Sequence, residues 1–233
     1  MRSNRKTILG ISGLVLLIVV MGLGLMLVRQ KQNVEIEARF SELNLVVANV
    51  TDTSVSLWWK TDKPESGCLV ARVFPQGEEK RVCDKERKIT HLVEVGGLVA
   101  ETRYSLKVKT ETRELTLNPY LGAWVSTRLT LPGGQPRWGN GQVADVKGVP
   151  VVGATVFMSP NLSDRMYFPV AAMTDDSGYY QLDLAKLDFQ YPGEFNEYFV
   201  EVVDYQGRKL IEMTMEKDTV APFPVVTVSL GEP

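Results

Sequence analysis

Ser54-Val55-Ser56-Leu57-Trp58-Trp59-Lys60 is the stretch that decides the fold. Successive side chains of an extended strand point to opposite faces, so Val55, Leu57 and Trp59 share one face while Ser54, Ser56, Trp58 and Lys60 share the other. The first face reads as core and the second as wet, with Trp58 the exception. Working outward, comparable runs occur at Leu45 to Val50, Cys68 to Phe74, His91 to Val95, Tyr104 to Lys109 and Trp124 to Leu129. Turn residues separate them at the spacing of an antiparallel sandwich. A second set follows at Gly141 to Val143, Gly153 to Met158, Tyr179 to Leu184, Tyr198 to Val203 and Val225 to Leu230. No stretch after residue 28 has helical periodicity, so the expected fold class is all-β.

Between the two sets lies Leu131-Pro132-Gly133-Gly134-Gln135-Pro136, a Pro/Gly cluster of the kind that joins domains. The charge balance also shifts there. Residues 1–40 carry a net charge of +4, residues 41–129 of +1 and residues 130–233 of −7, within a chain of 233 residues and net charge −2. A near-neutral middle and an acidic end lack the concentrated basic face that phosphate binding needs, so nucleic acid is excluded as the natural partner. With 44% hydrophobic and 23% charged residues the chain is too apolar to be disordered. The expected order is a cytoplasmic N-terminus (1–7), a membrane anchor (8–28), a stalk (29–40), a first sandwich (41–129), a linker (130–137) and a second sandwich (138–233).

The anchor is read from Ile8 to Val28, 21 residues without a charge. As a helix they span about 31 Å, close to the roughly 30 Å of a bilayer hydrocarbon core. Arg2, Arg5 and Lys6 would also suit a signal peptide, but Arg29-Gln30-Lys31-Gln32-Asn33 supplies no small-x-small cleavage site after the apolar run. Three basic residues flank the helix on each side. The free amino terminus adds one more positive charge before it, which favours a cytoplasmic N-terminus and extracytoplasmic domains.

Two families share these patterns. Val50-Thr51-Asp52-Thr53-Ser54-Val55-Ser56-Leu57-Trp58-Trp59, with a core tryptophan at Trp59, and Leu98-Val99-Ala100-Glu101-Thr102-Arg103-Tyr104 resemble the fibronectin type III domain and its tyrosine corner, with Ala100 in place of the usual proline. The resemblance covers about 90 residues and implies an immunoglobulin-like sandwich. The Arg-Gly-Asp loop of some members has no counterpart, so integrin binding is not implied. Gly141-x-Val143, Gly148-Val149-Pro150-Val151-x-Gly153-Ala154-x-Val156 and Thr174-Asp175-Asp176-Ser177-Gly178-Tyr179-Tyr180 are similar to the carboxypeptidase regulatory-like domain, a transthyretin-like sandwich. That resemblance implies an accessory module without catalytic residues of its own.

One histidine and two cysteines leave little material for chemistry. His91 with Asp84 or Glu94 has the groups for acid/base work but no matched nucleophile, so no catalytic residue, metal ligand or cofactor is expected and the chain reads as a non-enzyme. Asp175-Asp176-Ser177-Gly178 reads as a tight turn rather than a calcium loop, because no late bidentate glutamate follows. Cys68 and Cys83 are equidistant from the centre of Phe74-Pro75-Gln76-Gly77, and a hairpin there would set them opposite each other. Either a disulfide or two buried thiols satisfies that placement. The mixed charges of Lys80 to Lys88 read as a guarded sheet edge.

Trp58 either packs beneath the neighbouring domain or offers an aromatic platform to a partner. Tyr120, in the long connection Glu111 to Ala123, is the second candidate contact, although that segment could equally cover the core. Asn49-Val50-Thr51 and Asn161-Leu162-Ser163 match the glycosylation sequon. These features lead to an expectation of a membrane-anchored, extracytoplasmic binding or spacing protein, whose partner is a protein or an envelope polysaccharide. The alternative is a structural subunit of a larger envelope or secretion assembly.

Overall fold

The computed structural model describes residues 44–117, 124–129, 135–161, 168–188 and 195–229. The expected anchor and stalk lie outside these residues, as does most of the Pro/Gly joint. Among the described residues no helix is long and apolar enough to cross a membrane. The single described helix, α1, is one turn at Ala185–Asp188.

The first sandwich is built from β1 (Leu45–Ala48), β2 (Val55–Val73), β3 (Glu79–Val95), β4 (Arg103–Thr110), β5 (Glu114–Thr116) and β6 (Val125–Ser126). The runs at 54–60 and 68–74 were expected as separate strands, but they are the two parts of β2. Its first part pairs with β1 in the register Leu45↔Trp59 to Ala48↔Ser56 and with the end of β3 from Val55↔Val95 to Lys60↔Thr90. The ladder then shifts register between Lys60 and Glu65 and again between Glu65 and Gly67. Beyond that, residues 67–73 pair with the beginning of β3 on one side and with β4 on the other. Bulges of this kind bend a strand without ending it, so one long hairpin serves both layers of the sandwich.

Val47, Leu57, Trp59, Leu69, Ala71, Tyr104, Leu106 and Val108 fill the space between those layers. The Tyr104 hydroxyl accepts the Val99 backbone N–H at 2.9 Å, which ties the turn after β3 to the start of β4 in the manner of a tyrosine corner. Ala100 therefore does not prevent that contact, because the hydroxyl reaches backbone upstream of the position where proline is usual.

The second sandwich packs a three-stranded sheet against a four-stranded one. β10 (Tyr179–Asp183), β7 (Trp138–Asp145) and β13 (Val226–Val228) form the first, with β13 parallel to β7. β12 (Lys209–Glu216), β11 (Glu197–Val203), β8 (Thr155–Pro160) and β9 (Val170–Met173) form the second. Val143, Val156, Met158, Tyr180, Leu182, Tyr198, Val200 and Val202 make up the core between them.

Three turns of this sandwich share one construction, at Asp145-Val146-Lys147-Gly148, Asp175-Asp176-Ser177-Gly178 and Asp204-Tyr205-Gln206-Gly207. In each, the Asp Oδ1 accepts the backbone N–H two residues later and the N–H four residues later, at 2.8–3.0 Å. The Asp carbonyl accepts the glycine N–H, and the glycines have φ of +80°, +73° and +71°. Side-chain closure of the turn explains the aspartate, and the left-handed backbone explains the glycine.

Candidate functional site

The junction between the two sandwiches begins with a departure from simple alternation. All four residues of β1 are buried, and so are Val55 to Trp59 of β2. Leu45, Val47, Leu57 and Trp59 face their own core, whereas Val46, Ala48 and Trp58 pack with Phe157, Ala171 and Val203 of the second sandwich. The Trp58 ring meets Phe157 edge-on with centroids 5.5 Å apart, and its indole N–H donates to Thr155 Oγ1 at 3.2 Å. Trp58 is fully buried. It therefore takes the packing role, and as a platform for an outside partner the reading is corrected, because the second sandwich already covers both ring and donor.

Asn49 forms the polar half of the same junction. Its Oδ1 accepts the Ala171 N–H and its Nδ2 donates to the Ala171 carbonyl, both at 2.9 Å, while its backbone N–H donates to the Pro169 carbonyl at 3.0 Å. β9 ends its sheet, so these bonds satisfy an edge that would otherwise be open. A φ of 50° lets Asn49 face that edge, a conformation asparagine tolerates better than most residues. Engaged in this way, its amide is not offered to a glycan. Thr90 Oγ1 donates to the Tyr205 carbonyl at 3.0 Å and Arg128 donates to the Lys186 carbonyl, adding polar links from the first sandwich to the second.

Cys68 and Cys83 stand opposite each other in the β2–β3 register and are joined as a disulfide. Arg81 Nη2 approaches Cys68 Sγ at 3.0 Å. Residues 79–83 are mostly exposed, and β3 has β2 as its strand partner there.

His91 lies beneath the bend of β2 and β3, fully buried and stacked on Trp59 with ring centroids 4.6 Å apart. Its Nδ1 is 3.0 Å from Asp84 Oδ2, and its Nε2 is 3.0 Å from the Lys88 carbonyl. Lys88 Nζ closes the group at 2.8 Å from the same Asp84 oxygen. Burial acts to raise the Asp84 carboxyl, but hydrogen bonds from Lys88 and His91 outweigh it and hold the group below the usual aspartate value. Burial likewise acts to lower Lys88, and Asp84 reverses that and leaves the amine raised. Both nitrogens of the histidine already have partners and the ring is sealed from solvent, so it has no free edge for a substrate. Glu94, the other proposed companion, is exposed three positions further along the strand and belongs to the opposite face.

Tyr120 lies outside the described residues. Among the described residues no group of three or more His, Cys, Asp and Glu side chains is placed to hold a metal ion. An open depression of about 370 Å³ is lined by Phe195, Asn196, Glu197, Glu216, Lys217 and Asp218, with Lys217 Nζ 4.2 Å above the Phe195 ring.

No family model matches the chain, and no curated protein matches it. Solved structures do show likeness. A two-domain fibronectin type III segment of chicken tenascin is 17% identical, covering 75% of this chain and 97% of that one, with a TM-score of 0.29. Chicken CNTN1 domains FN1–FN3 are 14% identical, covering 80% of this chain and 65% of that one, with a TM-score of 0.29. A bacterial ice-binding adhesin that is retained at its host cell surface is 14% identical, covering 80% of this chain and 64% of that one, with a TM-score of 0.23. These scores transfer neither activity nor partner to this chain.

Proposed function

We propose that this chain is a non-catalytic, membrane-anchored protein that presents its two sandwiches outside the membrane as one stiff module for binding or spacing at the cell surface. The observation that carries the reading is the sealed junction. Trp58 and Asn49 bury opposing sheet faces against each other, which suits a spacer that must hold its far surface at a fixed distance and orientation. The Tyr104 corner supports a fibronectin type III-like first sandwich. The glycine turns at Gly148, Gly153 and Gly178 support a carboxypeptidase regulatory-like second one. A protein or an envelope polysaccharide is the partner class this architecture suits.

The test uses the full chain in its native membrane. It is expected to resist extraction by alkaline carbonate and to be cut at Pro132 to Pro136 by protease added outside intact cells. Release by carbonate, or protection of that joint, overturns the reading. Isolation from detergent as a stoichiometric complex with other envelope proteins replaces it with a structural-subunit role.

A further inference from the structure

The end of the second sandwich that carries the three aspartate–glycine turns exposes five large apolar side chains. Val146 is 68% exposed, Val149 56%, Val152 47%, Tyr179 51% and Tyr205 56%. Apolar side chains scattered singly over a surface need no explanation, but these sit on adjoining turns and, for Tyr179, at the first position of β10. A methyl group built on Gly178 would lie 3.2 Å from Pro150 Cβ, and one on Gly153 would lie 3.6 Å from Tyr205 Cβ, so the turns stand side by side. Asp145, Asp175 and Asp204 direct Oδ1 into their own backbone N–H groups, and Asp204 is also paired with Arg208. Asp175 and Asp176 stay exposed beside the apolar residues and place negative charge at the rim of the patch. Lys147 is exposed among the apolar residues.

The position of this end relative to the start of the described chain supplies the second argument. The Lys60 N–H donates to the Asn44 carbonyl at 3.2 Å, so Lys60 marks where the chain enters the first sandwich. The Lys60 side chain also lies against the third turn, where a methyl group on Gly207 would be 2.8 Å from Lys60 Cδ, and Thr90, opposite Lys60, bonds to Tyr205. At the other end of β2's first part, Asn49 donates to Ser56 Oγ and to the Ala171 carbonyl. The turn end of the second sandwich thus lies beside Asn44. Only residues 29–43 separate Asn44 from the proposed anchor, and fully extended they reach no more than about 54 Å.

We propose that this turn end is a membrane-contact surface, in which Val146, Val149 and Val152 enter the headgroup region of the bilayer and Tyr179 and Tyr205 sit at its interface. Exposed valines on turn tips contribute apolar burial, tyrosine suits the boundary between water and acyl chains, and Lys147 is placed to meet lipid phosphate. The second sandwich then folds back beside the first, and both stand on the membrane. The inference rests on the anchored reading of the chain.

The test reconstitutes the full chain, with Cys68 and Cys83 oxidised, into vesicles of phosphatidylcholine and phosphatidylglycerol. Val149→Cys carries an environment-sensitive fluorophore, and Val99→Cys, at an exposed site on the opposite end, is the control. A nitroxide on the lipid acyl chain is expected to remove most of the emission at position 149 and little at position 99, with iodide in the water doing the reverse. Replacing Val146 and Tyr179 by Asp, both exposed and so compatible with folding, is expected to abolish the lipid quenching at 149. Equal aqueous quenching at both positions in a carbonate-resistant chain overturns the proposal and leaves the anchor intact. Protection of position 149 from both quenchers, with crosslinks between two chains, also overturns it, since a second copy then covers the surface. Release of the chain by carbonate removes the anchor. The released chain is then added to the same vesicles, where lipid quenching at 149 sustains the contact surface and its absence ends it.

Discussion

Residues 55–60 and 67–73 belong to the same strand and experience different environments. From Val55 to Trp59 every side chain is buried, because the sandwich core covers one face and the second sandwich covers the other. From Gly67 to Val73 the inward side chains remain in the core, while on the outer face Cys68 and Arg72 turn toward solvent, Val70 between them is buried, and β3 beside them is an exposed edge. The first part is stabilised by burial on two sides and the second by burial on one side with a covalent crosslink. The difference shows how a small sandwich secures the sheet half that the second sandwich does not cover.

Four variants sharpen or break that contrast, the largest first. Trp58→Ala removes the anchor of the junction and is expected to cost about 3–5 kcal/mol in urea unfolding, with a single transition giving way to two as the sandwiches uncouple. A fully cooperative transition in that variant would show that the junction is not what couples them. Cys68→Ser with Cys83→Ser opens a crosslink of sequence separation 15, worth about 3 kcal/mol for a loop of that size. Hydrogen exchange should rise at residues 67–73 and 79–84 and stay slow at 55–60; uniform acceleration would mean the two parts of β2 are not separable.

Asn49→Ala leaves the Ala171 N–H and carbonyl without their partner and is expected to cost about 1–3 kcal/mol, with faster exchange confined to β9 and β1. The smallest effect belongs to Asp84, which sits at the bend between the two parts. Its carboxyl is held below the usual value of 3.8, so its contribution to stability is complete above that value and disappears as pH falls through the lower folded-state value. Asp84→Asn is expected to lose about 1 kcal/mol at pH 7, and a series of unfolding curves toward pH 2 should show wild type and variant converging. A constant difference across that range would exclude the carboxylate as the cause.

Much of the fold is legible in period-two alternation, yet the boundaries of elements are less so. The two runs of β2 read as separate strands because Thr61 to Ser66 interrupts the pattern with charge and proline, while the backbone ladder resumes after the bulges. β9 is short and built from small residues, Val170-Ala171-Ala172-Met173, and gives almost no periodic signal. The Asp-x-x-Gly spacing repeats three times and could have been found from the sequence. Only one copy, Asp175 to Gly178, stood out, because a second acid and a serine reinforce it. Of the candidate site residues, the cysteines were legible from their symmetry about a turn. Asn49 was not, since its partner Ala171 is 122 residues away. The sequon around it directs attention to a glycan instead.

By itself the sequence determined which residues alternate, where the turns fall, that Cys68 and Cys83 are symmetrically placed, and that little catalytic material is available. Those properties depend on neighbours a few positions apart, and local geometry is enough to read them. Tertiary structure alone decided that the wet face of Ser54 to Lys60 is not wet. Alternation states only that Trp58 points away from its own core, and what it points toward depends on Thr155 and Phe157 about a hundred residues later. The same long-range packing brings Asn44 and the Asp204 turn to one end of the molecule, because Asn49 meets Ala171 and Lys60 lies against Gly207 in the one arrangement of the sheets that meet at Trp58.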